Sequence, residues 1–262
     1  MTLLDDDLRR AVRGGAITAA YQPQIDLAEG RMVSAEVLAR WDDPQRGPVP
    51  PLEFIPVAER SEIIHDLGRT MLDAGFDAAR AWSTARRPIE VSVNVSVVQL
   101  VDRAFDDEVA RRLESAALPP GSVTLEITET HSIFELPGIA QRLELLHALG
   151  AEISIDDVGT GFAPVERIDE LPVSELKIDR SIVQDPTAAA EATMARIIGF
   201  AHDRGIRVVG EGVETPEHRD RLIRLACDRG QGFLFGYPMP RDEIDAIIAG
   251  LDPVTGELPV VG

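Results

Sequence analysis

From Ala20 onward the chain alternates eight short runs rich in β-branched and apolar residues with seven stretches of helical periodicity, an order that few folds accept. The runs are Tyr21 to Leu27, Met32 to Trp41, Ile89 to Val95, Val123 to Ile127, Glu152 to Asp156, Ser174 to Ile178, Arg207 to Gly210 and Gly230 to Phe235. The helical stretches are Leu52 to Trp82, Val97 to Ala117, Pro137 to Leu149, a short one over Ala163 to Glu170, Thr187 to Arg204, Pro216 to Ala226 and Arg241 to Ile248. Thr215 before Pro216 reads as an N-cap followed by proline at the first helical position.

Only Ala28-Glu29-Gly30-Arg31 joins the first two runs, which is too short for a parallel crossover and right for a hairpin, so these two strands are predicted antiparallel. Strand-to-helix units behind one reversed strand predict an α/β fold, a TIM-like (β/α)8 barrel whose first strand is antiparallel to the rest. An open doubly wound sheet is the alternative. At 262 residues one such domain accounts for positions 1–250, with 251–262 as a loosely held C-terminal tail.

The alternation inside the runs assigns faces. Val91, Val93 and Val95 share one side of their strand, and Ser92, Asn94 and Ser96 share the other. Leu125 and Ile127 oppose Thr124 and Glu126; Ile153 and Ile155 oppose Ser154 and Asp156; Leu176 and Ile178 oppose Glu175 and Lys177. Helices cover the apolar side of a barrel, so the polar side faces inward, where buried polar groups need partners or a function.

The polar positions near the carboxyl ends of successive strands are Glu36, Asn94, Glu126, Asp156 with Asp157, Lys177, Glu211 and Gln231. A closed barrel opens all such ends onto one mouth. Five carboxylates there repel, since two unit charges ~4 Å apart cost about 4 kcal/mol at an effective dielectric of ~20. Lys177 compensates one of them. Divalent cations with hard oxygen ligands, Mg²⁺ or Mn²⁺, compensate the rest, and the adjacent pair Asp156-Asp157 suits two ions ~3.5 to 4 Å apart that activate water and clamp a phosphate.

Composition narrows the alternatives. A formal net charge of −19 opposes non-specific binding to duplex nucleic acid or an anionic membrane. The single cysteine, Cys227, allows neither a disulfide framework nor a thiolate zinc site and reads as a small buried side chain. No apolar run approaches ~18 residues, and Asp5-Asp6-Asp7 stands where a secretory peptide needs basic residues, which predicts a cytoplasmic protein without a membrane segment. No histidine lies at a strand end or in a His-x-x-x-His pair. Neither a Gly-x-Ser-x-Gly elbow nor a phosphate loop is present, and Gly210-Glu-Gly212 lacks the third glycine of a dinucleotide fingerprint.

At these residues the sequence resembles the EAL domain family, the bacterial cyclic di-GMP phosphodiesterases, whose Glu-Ala-Leu motif is here Glu36-Val37-Leu38. The other landmarks are Tyr21-Gln22-Pro23, Arg40-Trp41, Phe54 to Glu59, Asn94-Val95-Ser96, Glu126 to Glu129, Asp156 to Gly161, Lys177-Ile178-Asp179, Glu211 to Glu214 and Gln231-Gly232. The resemblance implies a barrel with one antiparallel strand, two Mg²⁺ or Mn²⁺ ions, and hydrolysis of cyclic di-GMP to linear pGpG. It implies that Glu36, Asn94, Glu126 and Asp156 hold one ion, that Asp156 and Asp157 contribute to the second, and that Lys177 and Glu211 act catalytically with Glu36. Gln22, Leu38, Arg40, Asp179 and Gln231 match substrate contacts; Glu129 and Glu214 match supporting positions. A homodimer is implied, as is a sensor or cyclase domain in a longer protein. Val37, Val158, Phe162 and Ala163-Pro164 depart from the family pattern; the last four lie in a loop that couples dimerisation to metal binding, and they motivate a second reading as a catalytically weak or inactive cyclic di-GMP receptor.

Overall fold

A computed structural model describes residues 3–85, 88–128, 131–160 and 165–250. The strands are β1 (Ile17–Asp26), β2 (Arg31–Asp43), β3 (Gly47–Val49), β4 (Glu90–Val95), β5 (Val123–Thr128), β6 (Ala151–Val158), β7 (Glu175–Ile178), β8 (Arg207–Gly210) and β9 (Arg229–Gln231). Their order is β1-β9-β8-β7-β6-β5-β4-β2-β3, and a further β1–β2 pairing closes the ring into an eight-stranded barrel, with β3 appended outside it. β1 is antiparallel to both of its neighbours, β2 and β9; every other contact within the ring is parallel. The predicted barrel with one reversed strand therefore forms, and the open sheet does not.

Helices pack the outer face. The long helix Ile63–Trp82 lays Leu67, Met71, Leu72 and Phe76 against the sheet. It sits so close to β4 that a Cβ on Gly75 would come within 2.5 Å of Val93 Cγ2. The branched aliphatic residues of the barrel, Val91, Val93, Leu125, Ile127, Ile153 and Ile155, are all buried beneath this layer. Their polar alternates Ser92, Thr124, Glu126, Ser154, Glu175 and Lys177 are buried as well, on the inward face.

Several boundaries differ from the sequence reading. The stretch predicted as one helix over Leu52 to Trp82 is two, Pro51–Arg60 and Ile63–Trp82, because Glu62 adopts a left-handed conformation at φ 61°. Val97 to Ala117 likewise breaks at Asp102, which is extended and caps the second helix by accepting from the Ala104 N–H. Helices Leu3–Arg13 and Arg180–Gln184 and strand β3 were not anticipated, and Val165–Glu170 is a 3₁₀ helix. The last strand ends at Gln231 rather than Phe235 because the chain turns at Gly232, whose Cβ, were it present, would lie 2.2 Å from the Val213 backbone nitrogen. The predicted N-cap does form: Thr215 accepts from the His218 N–H ahead of Pro216–Arg224. The tail 251–262 lies outside the described residues.

Candidate active site

Strand register brings the polar strand ends level. In the parallel part of the ring Asn94 of β4 stands opposite Glu126 of β5 and Thr128 opposite Asp156 of β6, and across the antiparallel β1–β2 pair Gln22 stands opposite Glu36. In the middle of this ring sits Lys177, fully buried, an arrangement a lone ammonium tolerates only among anions. Its Nζ lies 2.7 Å from Glu211 Oε1, 2.8 Å from Glu126 Oε2, 3.3 Å from Glu36 Oε2 and 3.7 Å from Asp156 Oδ1. Burial alone would strip its proton; the four carboxylates outweigh that and hold the ammonium well above its ordinary range.

The acids are not equivalent, and hydrogen bonds explain the difference. Burial pushes Glu36 up, but the Lys177 charge and donors from Gln231 Nε2 (2.6 Å) and Asn94 Nδ2 (2.6 Å) keep its carboxyl below the usual value. Among the described residues Glu126 receives only Lys177, and its Oε1 is buried with no partner there. Burial, then the neighbouring charge of Glu36, drives it well above the carboxylate range. Glu211 is pushed up to about 8, first by burial and then by Asp156 and Glu36, against the pull of Lys177.

Asp156 and Asp157 pose a geometric problem, since adjacent residues in a regular strand point to opposite faces. The β6–β7 register is irregular between Ile155 and Val158, and Asp157 takes a left-handed φ of 60°, a conformation aspartate bears better than most side chains. Both carboxylates thereby serve the mouth: oxygens of Asp156, Asp157 and Glu211 lie within 4.8 Å of one another. Asp157 is raised to about 6 by burial and by the charges of Asp156 and Asp179, with which it shares a hydrogen bond. Burial likewise raises Asp156.

These residues suit hard divalent cations. The donor set is all oxygen, one buried carboxylate oxygen lacks a partner among the described residues, and a single ammonium touches four acids with Asp157 beside them.

The remaining predicted residues fall around this ring. Gln22 is buried, accepts from Gln231 Nε2 (3.2 Å) and donates to the Gly236 carbonyl (3.1 Å). Leu38 lines a cavity of about 290 Å³ beside Glu36 and Asn94. Arg40 is half-buried and donates to the Ala39 carbonyl. Asp179 caps Arg180–Gln184 by accepting from the Ser181 N–H. Glu214 is exposed and walls a second cavity shared with Glu211 and Gln231. Glu129 lies outside the described residues, as do Phe162, Ala163 and Pro164; Val158 is buried and pairs with Ile178. Sequence reasoning missed Gln24, whose Nε2 donates to Gln231 Oε1 at 3.0 Å and fixes that amide; it shares the inward face with Gln22, so the two-residue period carried the signal. Ser96 Oγ donates to Glu59 Oε1 at 2.6 Å, tying the strand end that carries Asn94 to helix Pro51–Arg60.

An eight-stranded barrel with one reversed strand and an acid-ringed lysine at its mouth defines a narrow class. Residues 5–238 match the EAL domain family, and the chain belongs to that family. It is 36% identical over 236 residues to the cyclic di-GMP phosphodiesterase RocR of Pseudomonas aeruginosa, an alignment covering 89% of this chain and 60% of RocR. It is 34% identical over 246 residues to the bifunctional diguanylate cyclase/cyclic di-GMP phosphodiesterase MucR of the same organism, covering 93% of this chain and 36% of MucR. The chain thus spans between about a third and three fifths of the length of these curated relatives. Among solved structures, the PaMucR phosphodiesterase in complex with c-di-GMP superposes with a TM-score of 0.87 at 34% identity, covering 93% of this chain and 100% of that one. The EAL enzyme Bd1971 in its cGMP-bound form superposes with a TM-score of 0.88 at 29% identity, covering 94% and 68%.

Proposed function

We propose that this domain is a metal-dependent phosphodiesterase that hydrolyses cyclic di-GMP to linear pGpG. The observation that carries the reading is the convergence of four acids on one buried lysine, with Asp157 beside them and a buried carboxylate oxygen of Glu126 that has no partner among the described residues. Kinship with RocR and MucR, whose names state this activity, supports the substrate. Glu36, Asn94, Glu126 and Asp156 would hold one Mg²⁺ or Mn²⁺, and Asp156 with Asp157 would contribute to a second; cations held there would supply charge neutralisation for the phosphate oxygens and a lower pKa for the attacking water.

The protein's own groups do the rest. Glu211, once ionised, accepts the proton of the attacking water, and Lys177 steadies Glu211 and Glu126 in position through its short contacts. Water oxygen bonds to phosphorus as the bond from phosphorus to the ribose 3′-oxygen breaks; the product keeps a 5′-phosphate and gains a 3′-hydroxyl, which is pGpG. Gln231, anchored by Gln24 and Gln22, holds Glu36 in its ionised form. Gln22, Leu38, Arg40 and Asp179 contact the dinucleotide, while Glu129 and Glu214 support the surrounding loops.

Turnover of cyclic di-GMP by the purified protein with Mg²⁺ or Mn²⁺, abolished by a chelator, is the expected result; no pGpG under those conditions would sink the proposal. The departure at Val158 favours one alternative, a receptor that binds cyclic di-GMP tightly without turnover. The working unit is a homodimer, tested by sedimentation, and in a longer protein a sensor or cyclase domain regulates it. Among the described residues no helix is long and apolar enough to cross a membrane, and we place the domain in the cytoplasm on its single cysteine.

A further inference from the structure

The residues just past β8 are tied down on successive backbone groups. Glu211 N–H donates to the Ile178 carbonyl (3.1 Å), Val213 N–H to the Gln231 carbonyl (2.9 Å), and the Val213 carbonyl accepts from Leu234 N–H (2.9 Å). These bonds run backbone to backbone and do not depend on residue type. The Gly212 carbonyl instead accepts from a side chain, Gln184 Nε2, at 2.8 Å.

Gln184 ends the five-residue helix Arg180–Gln184, too short to persist without support. It is held at both ends. Asp179 accepts from the Ser181 N–H (2.9 Å) at its start, and at its end the buried Arg221 of helix Pro216–Arg224 donates to the carbonyls of Asp185 (2.6 Å) and Val183. The helix is wedged between two loops of the mouth. On one side a Cβ on Gly159, shortly after Asp157, would lie 2.5 Å from Ile182 Cδ1; on the other, a Cβ on Gly212 would lie 2.4 Å from Arg180 Cβ. Gly212 also takes a left-handed φ of 63°, so both packing and conformation demand glycine there. Glu211 and Gly212 wall a cavity of about 190 Å³ at the mouth, and Gln184 reaches the Gly212 carbonyl from outside that wall.

A carboxylate that takes a proton from water works only at a set distance and angle, and a misplacement of about 1 Å costs on the order of 10²-fold in rate. Glu211 is the residue next to Gly212, and its Oε1 stands 2.7 Å from Lys177 Nζ. We propose that Gln184 is a positioning residue for the reaction: by holding the Gly212 carbonyl, its amide sets where the Glu211 carboxylate stands against Lys177 and the attacking water. The inference rests on the phosphodiesterase reading for its reaction. Because Gln184 lies outside the cavity wall, loosening it acts on kcat and leaves KM.

The test uses the full chain with Mg²⁺ or Mn²⁺. Gln184→Met, nearly the same shape without a donor, should lower kcat for cyclic di-GMP roughly 10- to 100-fold and leave KM within about threefold. Gln184→Glu, of the same length and without a donor once ionised, should lose at least as much, so that either variant decides if the other does not fold. Gln184→Lys keeps a donor on a flexible stem and should hold kcat within about threefold of wild type. A kcat for the donor-less variants within about twofold of wild type, a KM that rises in step with the fall in kcat, or a Gln184→Lys variant as slow as Gln184→Met, overturns the brace. Should the wild type not turn over cyclic di-GMP, the phosphodiesterase reading falls by itself. Amide hydrogen exchange in the metal-free chain, followed by NMR, then decides the brace: in Gln184→Met the Glu211 and Val213 amides should exchange roughly 2- to 10-fold faster than in wild type, the range of one lost hydrogen bond, with the Leu125 and Ile153 amides unchanged. Equal exchange at Glu211 and Val213 in the two proteins overturns it independently.

Discussion

The two ends of the barrel are built from the same residue types and balanced in opposite ways. At the amino end, the first residues of four strands form a cluster: Arg229 reaches Glu90 (2.7 Å) and Glu175 (3.6 Å), and Arg207 reaches Glu175 (2.8 Å) and Glu90 (3.9 Å). Two cations meet two anions. At the carboxyl end one lysine meets Glu36, Glu126, Asp156 and Glu211, with Asp157 beside them. The floor closes its own charge account and the mouth leaves negative charge over, so the floor fastens the barrel while the mouth is prepared for cations from outside.

Substitutions separate the two ends. At the mouth, Lys177→Ala and Glu36→Ala should each lower the rate of cyclic di-GMP hydrolysis at least ~10²-fold with the circular dichroism spectrum retained, as expected for groups that organise developing charge. Near wild-type rates in either variant would remove them from the catalytic set. At the floor, Arg229→Ala should leave kcat within about threefold and cost about 2 kcal/mol in urea unfolding, below the full penalty of breaking a buried pair because Glu90 is partly exposed. A large loss of rate without a loss of stability would mean that the two ends are not separate.

A pH series without divalent metal tests the surplus charge directly. Glu126 and Asp156 are raised, Asp157 to about 6 and Glu211 to about 8, chiefly by burial. A carboxyl raised on folding binds more protons in the native state, so its stabilising effect is complete below the unfolded pKa near 4 and is lost as pH rises through the folded value. The Tm of chelated protein should therefore fall by several degrees between pH 6 and 8.5, and millimolar Mg²⁺ should flatten that slope by replacing the protons. A Tm that rises with pH in the chelated protein would show that the mouth is already balanced.

How much of this contrast could be read in the sequence follows from what sets each position. The polar groups of the mouth were legible because Glu36, Asn94, Glu126, Asp156 and Lys177 each fall on the inward phase of a two-residue period, and closure makes those phases converge. The adjacent pair Asp156-Asp157 was legible as chemistry but not as geometry, since the bulge and left-handed turn that aim both carboxylates arise from β6–β7 pairing. The floor escaped altogether: Arg207 and Arg229 begin short strands, where a charged residue reads as solvated, and only the ring brings them to Glu90 and Glu175. The turn after β9 was hidden for a related reason, because Gly230 to Phe235 looks like one strand until the Val213 backbone forces the turn at Gly232.

Between the two ends lies a middle layer that offers the finest test. Ser92 and Ser154 point into the barrel, and their hydroxyls are buried without a hydrogen-bond partner among the described residues. An unsatisfied buried hydroxyl costs free energy, so Ser92→Ala and Ser154→Ala should each be neutral or stabilising by up to about 1 kcal/mol, with rate unchanged. The opposite sign, a loss of about 1 kcal/mol in urea unfolding, would mean that ordered water bridges these hydroxyls to the groups above and below. In that case the floor and the mouth would be joined by a hydrogen-bonded column, and the double variant Ser92→Ala with Arg229→Ala would cost less or more than the two singles together. Additivity within about 0.5 kcal/mol is the expected result, since it follows from two ends that balance their charges independently.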